Sequence, residues 1–251
     1  MLDVSHQNGI TTLTMNRPEK RNAMTGEMIY GLRDGVAAAE TDPDCRCLVI
    51  TGAAGHFAAG RDLGDADRNT PLAKVMDYDE AYTAIYKTLR RSTKPSVAVV
   101  RGYAVAGGFT LAMGCDFVLA ERSAKFGALE MRGGFPAAVN TAILSHLLAP
   151  RHALELLLSA DTFDAEHLYR IGLINHLADS DAALNQLAED FCARLVALDP
   201  LSVTLTKETE RATASMPLDD ALTVGKQLNS LMMTSGKIDE AAEHYARTRR
   251  K

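Results

Sequence analysis

The sequence predicts an α/β protein with a C-terminal helical layer, and three observations predict it. Short apolar runs closed by glycine alternate with helical patterns as far as Pro136, helix-period segments fill most of the chain beyond it, and no repeat of solenoid length occurs. The chain has 251 residues, 47% of them hydrophobic and 24% charged. A chain of that size suits one large domain, or one domain with an appendage, and can bury roughly 70–75% of its unfolded surface.

Each element has a local cause. Leu2 to His6 and Ile10 to Met15 make a hairpin about Asn8-Gly9, a pair that readily takes positive φ. The polar stretch 16–22 contains proline and is a loop. Thr25 caps a helix over about Glu27 to Ala39, with Met28, Leu32, Val36 and Ala39 on one face. Cys47 to Thr51 is a buried strand closed by Gly52. The segment 65–78 is polar, lacks strong periodicity and reads as a loop or short helices, and Tyr78 to Ser92 is helical. Ser96 to Arg101 is a second buried strand, followed by a small-residue turn and a helix from about Phe109 to Gly114. Phe117 to Ala120 is a third strand and Ala124 to Gly127 a fourth. Helices fit 137–148, 151–159, 164–171, 180–198, 200–214, 217–234 and 238–250, with Leu173 to Leu177 the strand-like exception. Asp199-Pro200 interrupts the helical signal and divides a core, 1–199, from a helical tail, 200–251.

Charge and cysteine usage exclude several classes. A net charge of -5 and a pI of 5.8 leave no protein-wide basic field for nucleic acid. Cys45, Cys47, Cys115 and Cys192 are too scattered for a disulfide framework or a zinc knuckle, and fit reduced thiols in a cytoplasm. The start of the chain has no basic segment leading into an apolar one, and its apolar runs are too short for a bilayer. A soluble cytoplasmic protein, with no metal and no membrane or nucleic-acid partner, is expected.

Two segments share one design: a buried strand, then a turn of small residues. Gly60 and Gly107-Gly108 leave backbone N–H groups open to close approach, and two such turns on neighbouring strand ends can aim two donors at one oxygen. That arrangement is an oxyanion hole, in which one donor lowers a barrier by roughly 3–4 kcal/mol. Each segment by itself reads first as a plain turn. The dinucleotide fingerprint fails, because Ala106-Gly107-Gly108 lacks its spacing and no acidic residue follows at the required distance.

Five ordered blocks add specificity. They are Asn16-Arg17-Pro18 with Asn22-Ala23-Met24, Leu48 to Gly52, Phe57-Ala-Ala-Gly-Arg-Asp-Leu63, Arg101 to Gly108 with Cys115-Asp116, and Phe126-Gly-Ala-Leu-Glu130 with Pro136. Together they resemble the crotonase family of enoyl-CoA hydratases and isomerases over about residues 10–136. The resemblance implies the crotonase (ClpP-like) spiral of ββα units with a C-terminal helical trimerisation region, assembled as a trimer or a dimer of trimers. It implies an acyl-CoA substrate with coenzyme A as carrier and no covalently bound cofactor. The N–H groups of Arg61 and Gly107 would polarise the thioester carbonyl and hold its enolate, while Ala58, Ala59, Gly60, Arg61, Asp62, Leu63, Gly64 and Gly107 would cradle coenzyme A.

Hydratases of the family carry two glutamates, and this sequence departs from them at one. The position three residues after the oxyanion glycine is Thr110, and the other is Glu130. Threonine cannot exchange a proton as a carboxylate does, and losing a positioned acid or base costs roughly 10²–10⁴-fold. One carboxylate suffices to move a double bond from C3 to C2, so isomerisation with Glu130 as shuttle is the first expectation, its pKa raised by Leu129, Met131 and Phe135. Hydration of a 2-enoyl-CoA, with Thr110 placing water, is the alternative. A non-catalytic acyl-CoA binder or a scaffold is the alternative from another class.

Other candidates are weaker. His56 beside the first turn, His146 and His152, and the Ser145-His146 pair lack partners at catalytic or metal spacing. Asp62 and Asp116 suit turn anchors, and Asp65 and Asp67 are candidate substitute acids. Met76, Tyr78, Tyr82 and Tyr86 suit core packing, or by the resemblance a wall of the acyl pocket. The basic end, Arg247, Arg249, Arg250 and Lys251, suits a helix C-terminus.

Overall fold

The computed structural model describes residues 1–62, 64 and 69–236. Helix 238–250, the basic end, Leu63, Asp65 and Asp67 lie outside the described residues.

Alternation of side chains explains the architecture. Strands β1 (Leu2–Gln7) and β2 (Ile10–Met15) form the expected hairpin, with Asn8 and Gly9 at φ 52° and 77°. Strands β3 (Cys47–Gly52), β4 (Ser96–Val100), β6 (Phe117–Glu121) and β9 (His176–Ala178) then add in parallel, giving the order β1-β2-β3-β4-β6-β9. The central strands are apolar because both faces are covered. Leu48, Ile50, Ala98, Val100, Val118 and Ala120 point into one core, packed with α1 (Gly26–Thr41), α2 (Leu72–Arg91) and α3 (Gly107–Met113). Cys47, Val49, Val97, Val99 and Leu119 point the other way, towards Leu184 and Cys192 of α7 (Asp181–Val196). All four cysteines are buried free thiols.

A second sheet sets the site. Strand β5 (Tyr103–Val105) pairs in parallel with β7 (Lys125–Gly127), which pairs antiparallel with β8 (Phe163–Asp164). An isolated bridge between Ala58 and Ala104 extends this sheet to the segment after β3. Strands β4 and β6 each lead into a short strand, β5 and β7, before the next α-helix. Helices α4 (Ala138–Leu147), α5 (Pro150–Leu158) and α6 (Ala165–Arg170) complete this unit, which runs from Met1 to Pro200. The second unit starts at Leu201 and contains most of α8 (Pro200–Thr213) and all of α9 (Leu218–Thr234), neither of which buries a residue.

Local chemistry fixes the boundaries. Thr25 caps α1 by accepting from the Met28 N–H, and Met28, Ile29, Leu32, Val36 and Ala39 are its buried face. Three expectations need correction. Helix α2 begins at Leu72, so the second half of the expected 65–78 loop is helical; Pro71 supplies its start. The strand expected at Leu173–Leu177 lies at His176–Ala178, because Leu173 and Ile174 are buried in a turn before it. Strand β5 stands where the sequence suggests only a turn; three residues between Gly102 and Ala106 are too few to show alternation.

Phe126 of β7 and Phe109 of α3 are fully buried, with ring centroids 6.1 Å apart, and lock the second sheet to the helix. Phe126→Ala is expected to cost about 3–5 kcal/mol. Urea denaturation measures this, and a loss below about 1 kcal/mol would mean that the contact does not hold the two elements together.

Candidate active site

The strands β3 and β4 are neighbours, so the segments that leave them lie side by side. Asn22, fully buried, donates from Nδ2 to Ala53 O and His56 O, at 2.9 and 2.7 Å, and pins the turn after β3. Ala58 then donates to Tyr103 O and accepts from Val105 N, while Ala59 donates to Arg21 O. Met24 donates to Gly60 O and accepts from Asp62 N, which leaves the Arg61 N–H facing away from Met24. Asp62 serves as an anchor: its carboxylate pairs with Arg17 and accepts from the Gly64 N–H at 2.8 Å. The Arg17 hydrogen bond, then the Gly64 one, hold its pKa below the usual carboxylate range. Asp116 has the same kind of role, accepting from Ser96 N and Oγ at 2.8 Å.

Gly60 has φ 95°, and a Cβ there would sit 2.9 Å from Ala106 Cβ and 3.3 Å from Gly107 N. Only glycine allows this approach. A Cβ on Gly107 would in turn lie 3.6 Å from Arg61 N. The two N–H groups expected from the sequence are therefore neighbours, and among the described residues neither donates to a protein acceptor. The arginine side chain takes no part in this. Its guanidinium lies 3.6 Å over the Tyr78 ring, with Nη1 3.4 Å from Asp79.

Ala106, between β5 and α3, is the strained link. It has φ 49° and ψ -123°, a conformation that costs an alanine on the order of 1–3 kcal/mol and persists only where its surroundings impose it. Its N–H donates to Gly127 O at 2.8 Å, and its carbonyl accepts from Thr110 N, Thr110 Oγ1 and Asn140 Nδ2 at 3.1, 3.2 and 3.2 Å.

Thr110 is 1% exposed, and that bond to Ala106 O commits its hydroxyl hydrogen to the backbone. Tyr82 reaches the same place from α2, and its hydroxyl donates to Gly107 O at 3.1 Å. Burial raises its pKa to about 12. Tyr82 is thus a site residue, beyond the packing that its helical spacing suggests. Tyr86 and Tyr78 are buried beside it, whereas Met76 is 63% exposed.

Glu130 opens a short 3-10 turn (Glu130–Gly133) just after β7. Its Oε1 accepts from Asn140 Nδ2 at 2.9 Å, and its Oε2 is shielded from solvent with no hydrogen-bond partner. Burial raises its pKa, opposed by its own backbone N–H and by Asn140. Met131 and Phe135, expected to cover it, are exposed in this chain. Asn140 is a site residue that the sequence does not single out. The available signal is its place four residues before Leu144, the other buried residue of α4.

The competing candidates stay apart. His56 Nδ1 accepts from Tyr103 N at 3.3 Å, and burial, then Arg21, lower its pKa. His146 Nδ1 bonds its own helix at Ala142 O, and His152 lies 3.9 Å from Glu155. Among the described residues no group of three His, Cys, Asp or Glu could hold a metal, and no helix is long and apolar enough to cross a membrane.

Comparison with known proteins identifies the family. The enoyl-CoA hydratase/isomerase family model matches residues 5–251. The chain is 30% identical over 249 residues to 2,3-dehydroadipyl-CoA hydratase of Escherichia coli K12, covering 99% of this chain and 96% of that one. It is 31% identical over 247 residues to 1,2-epoxyphenylacetyl-CoA isomerase of the same organism, covering 96% and 94%. An enoyl-CoA hydratase from Polaromonas sp. JS666 superposes with a TM-score of 0.90 at 27% identity, covering 98% and 97%. The chain belongs to the enoyl-CoA hydratase/isomerase, or crotonase, family.

The raised pKa of Glu130 has a consequence for stability. A folded-state pKa above the unfolded one contributes stability that is present below the unfolded pKa and lost as pH rises through the folded pKa. Glu130→Gln, which cannot ionise, should therefore gain stability over wild type at pH 7 and above and show no such gain near pH ~4. Urea midpoints at the two pH values test this; an equal change at both would exclude ionisation as the cause.

Proposed function

We propose that the protein rearranges an acyl-CoA thioester through an enolate, moving a double bond from C3 to C2. The thioester oxygen would lie against the N–H groups of Arg61 and Gly107, and Glu130 would lift a proton from C2 and return it to C4. The observation that supports this reading is that, among the described residues, Glu130 is the carboxylate with a buried, unpartnered oxygen, Oε2, in a site where the Thr110 hydroxyl is bound to the backbone. A proton shift needs one such group. Addition of water more naturally needs two, one to activate the water and one to handle the C2 proton. Preorganised donors at the oxygen stabilise charge as it develops, which is the larger part of such catalysis.

The backbone from Ala58 to Gly64, with Gly107, is the proposed coenzyme A cradle. Ala58 and Ala59 support it through their bonds to β5 and Arg21, and Gly60 and Arg61 would face the ligand. Exposed Phe135, Leu147, Leu154 and Leu158 in the first unit, and Leu218, Leu222 and Leu231 in the second, support assembly as a trimer or a dimer of trimers. Hydration of a 2-enoyl-CoA is the second reading, favoured by the hydratase name of the relative that matches over 249 residues.

A panel of 2-enoyl and 3-enoyl thioesters incubated in heavy water separates the two by mass spectrometry. Deuterium at C2 or C4 without added water is expected, whereas a gain of one water would establish hydration. Glu130→Gln should lower turnover roughly 10²–10⁴-fold while coenzyme A affinity changes little. Undiminished turnover would show that another base acts. Thr110→Glu is expected to raise water addition relative to isomerisation in the same panel, and an unchanged product ratio would show that this position does not choose the reaction.

A further inference from the structure

One buried side chain touches both halves of the machinery without taking a direct part in the proposed proton shift. Asn140, 1% exposed on α4, donates from Nδ2 to Ala106 O at 3.2 Å and to Glu130 Oε1 at 2.9 Å. An amide nitrogen has two hydrogens, so both are used. Ala106 O can only accept, which fixes the nitrogen on this side and leaves Oδ1 buried with no donor.

Ala106 O and the Gly107 N–H belong to one peptide unit. The peptide bonds are trans, so the N–H points opposite the carbonyl, and whatever holds the oxygen aims the hydrogen. A donor on the carbonyl also polarises the unit and strengthens the N–H as a donor in turn. At the other hydrogen, Asn140 occupies Oε1 of Glu130 and leaves Oε2 as the oxygen without a partner. That bond survives the proton cycle, because Oε1 still accepts when Oε2 carries the proton.

We propose that Asn140 is a positioning residue, resting on the proposed enolate chemistry, which aims the Gly107 N–H through Ala106 O and presents Glu130 Oε2 to the substrate carbon. Holding Ala106 O does not depend on it alone. Thr110 N and Oγ1 would still satisfy Ala106 O without it, and Asn140 brings an unpaired buried oxygen of its own. Few charges complicate the test. Among the described residues Tyr82 is the titratable group coupled to Glu130, and it stays neutral with a pKa of about 12. Arg132, in the same turn as Glu130, is turned to Ala160 O and Asp161.

The experiment compares wild type, Asn140→Leu, Asn140→Asp and Glu130→Gln. It reads kcat and KM against pH and the absorption band of a bound conjugated dienoyl-CoA, which moves to longer wavelength as its carbonyl is polarised. Asn140→Leu should lose roughly 10–100-fold in kcat with KM within about threefold. The acid limb of kcat/KM should move to higher pH, because a donor favouring the ionised carboxylate is gone. Its bound band should shift less than that of wild type, whereas Glu130→Gln should keep the full shift. Should Asn140→Leu fail to fold, the near-isosteric Asn140→Asp carries the same pH test, since two carboxyls sharing one site also raise the acid limb. A folded variant with unchanged limb and unchanged band overturns the proposal, even if its activity falls. A wild-type protein that neither shifts the band nor turns over any thioester overturns the enolate reading, and this inference with it.

Discussion

The structure turns on one close approach between two backbone segments. The chain leaving β3 at Gly60 and the chain leaving β5 at Gly107 pass where a Cβ on Gly60 would be 3.3 Å from the other's amide nitrogen. Such an approach needs both segments at the same edge of the sheet, which the adjacency of β3 and β4 supplies, and both fixed in direction. Asn22, Met24 and β5 fix the first; Gly127, Thr110 and Asn140 fix the second. The strain of Ala106 is borne at the same point, as expected where the surroundings over-determine a backbone that would otherwise relax.

Much of this is legible in the sequence where one physical signal acts alone. The hairpin at Asn8-Gly9, the Thr25 cap and the buried strands after Arg46 and Pro95 follow from turn chemistry, capping and burial on both faces. The features that escape it are short or are decided from a distance. Strand β5 has three residues, so no period can be read, and the pairing that makes it a strand comes from β7 and from Ala58. The first turns of α2 leave Leu72 and Met76 exposed, so their apolar residues do not mark a buried face. Of the site, Arg61, Gly107 and Glu130 are reached through the family resemblance, since glycines after strands and a lone glutamate carry no chemistry by themselves. Tyr82 and Asn140 stay hidden because each sits at a helical position that packing alone explains, and only their atoms' partners reveal them.

The site is polar in two different ways. The hydroxyls of Thr110 and Tyr82 both donate to backbone carbonyls, with the tyrosine pushed to a pKa of about 12. Groups so committed and so reluctant to ionise shape the surroundings of a substrate but do not exchange protons readily near neutral pH. Glu130, among the described residues, adds a carboxylate whose pKa is raised by burial. Proton traffic on the proposed reading therefore runs through the Glu130 carboxyl. A 1,3 shift, in which one group takes the departing proton and returns it, fits that arrangement. Asn140 makes the arrangement consistent from end to end: the side chain that leaves one glutamate oxygen open also orients the peptide meant to hold the charge created when that oxygen accepts its proton.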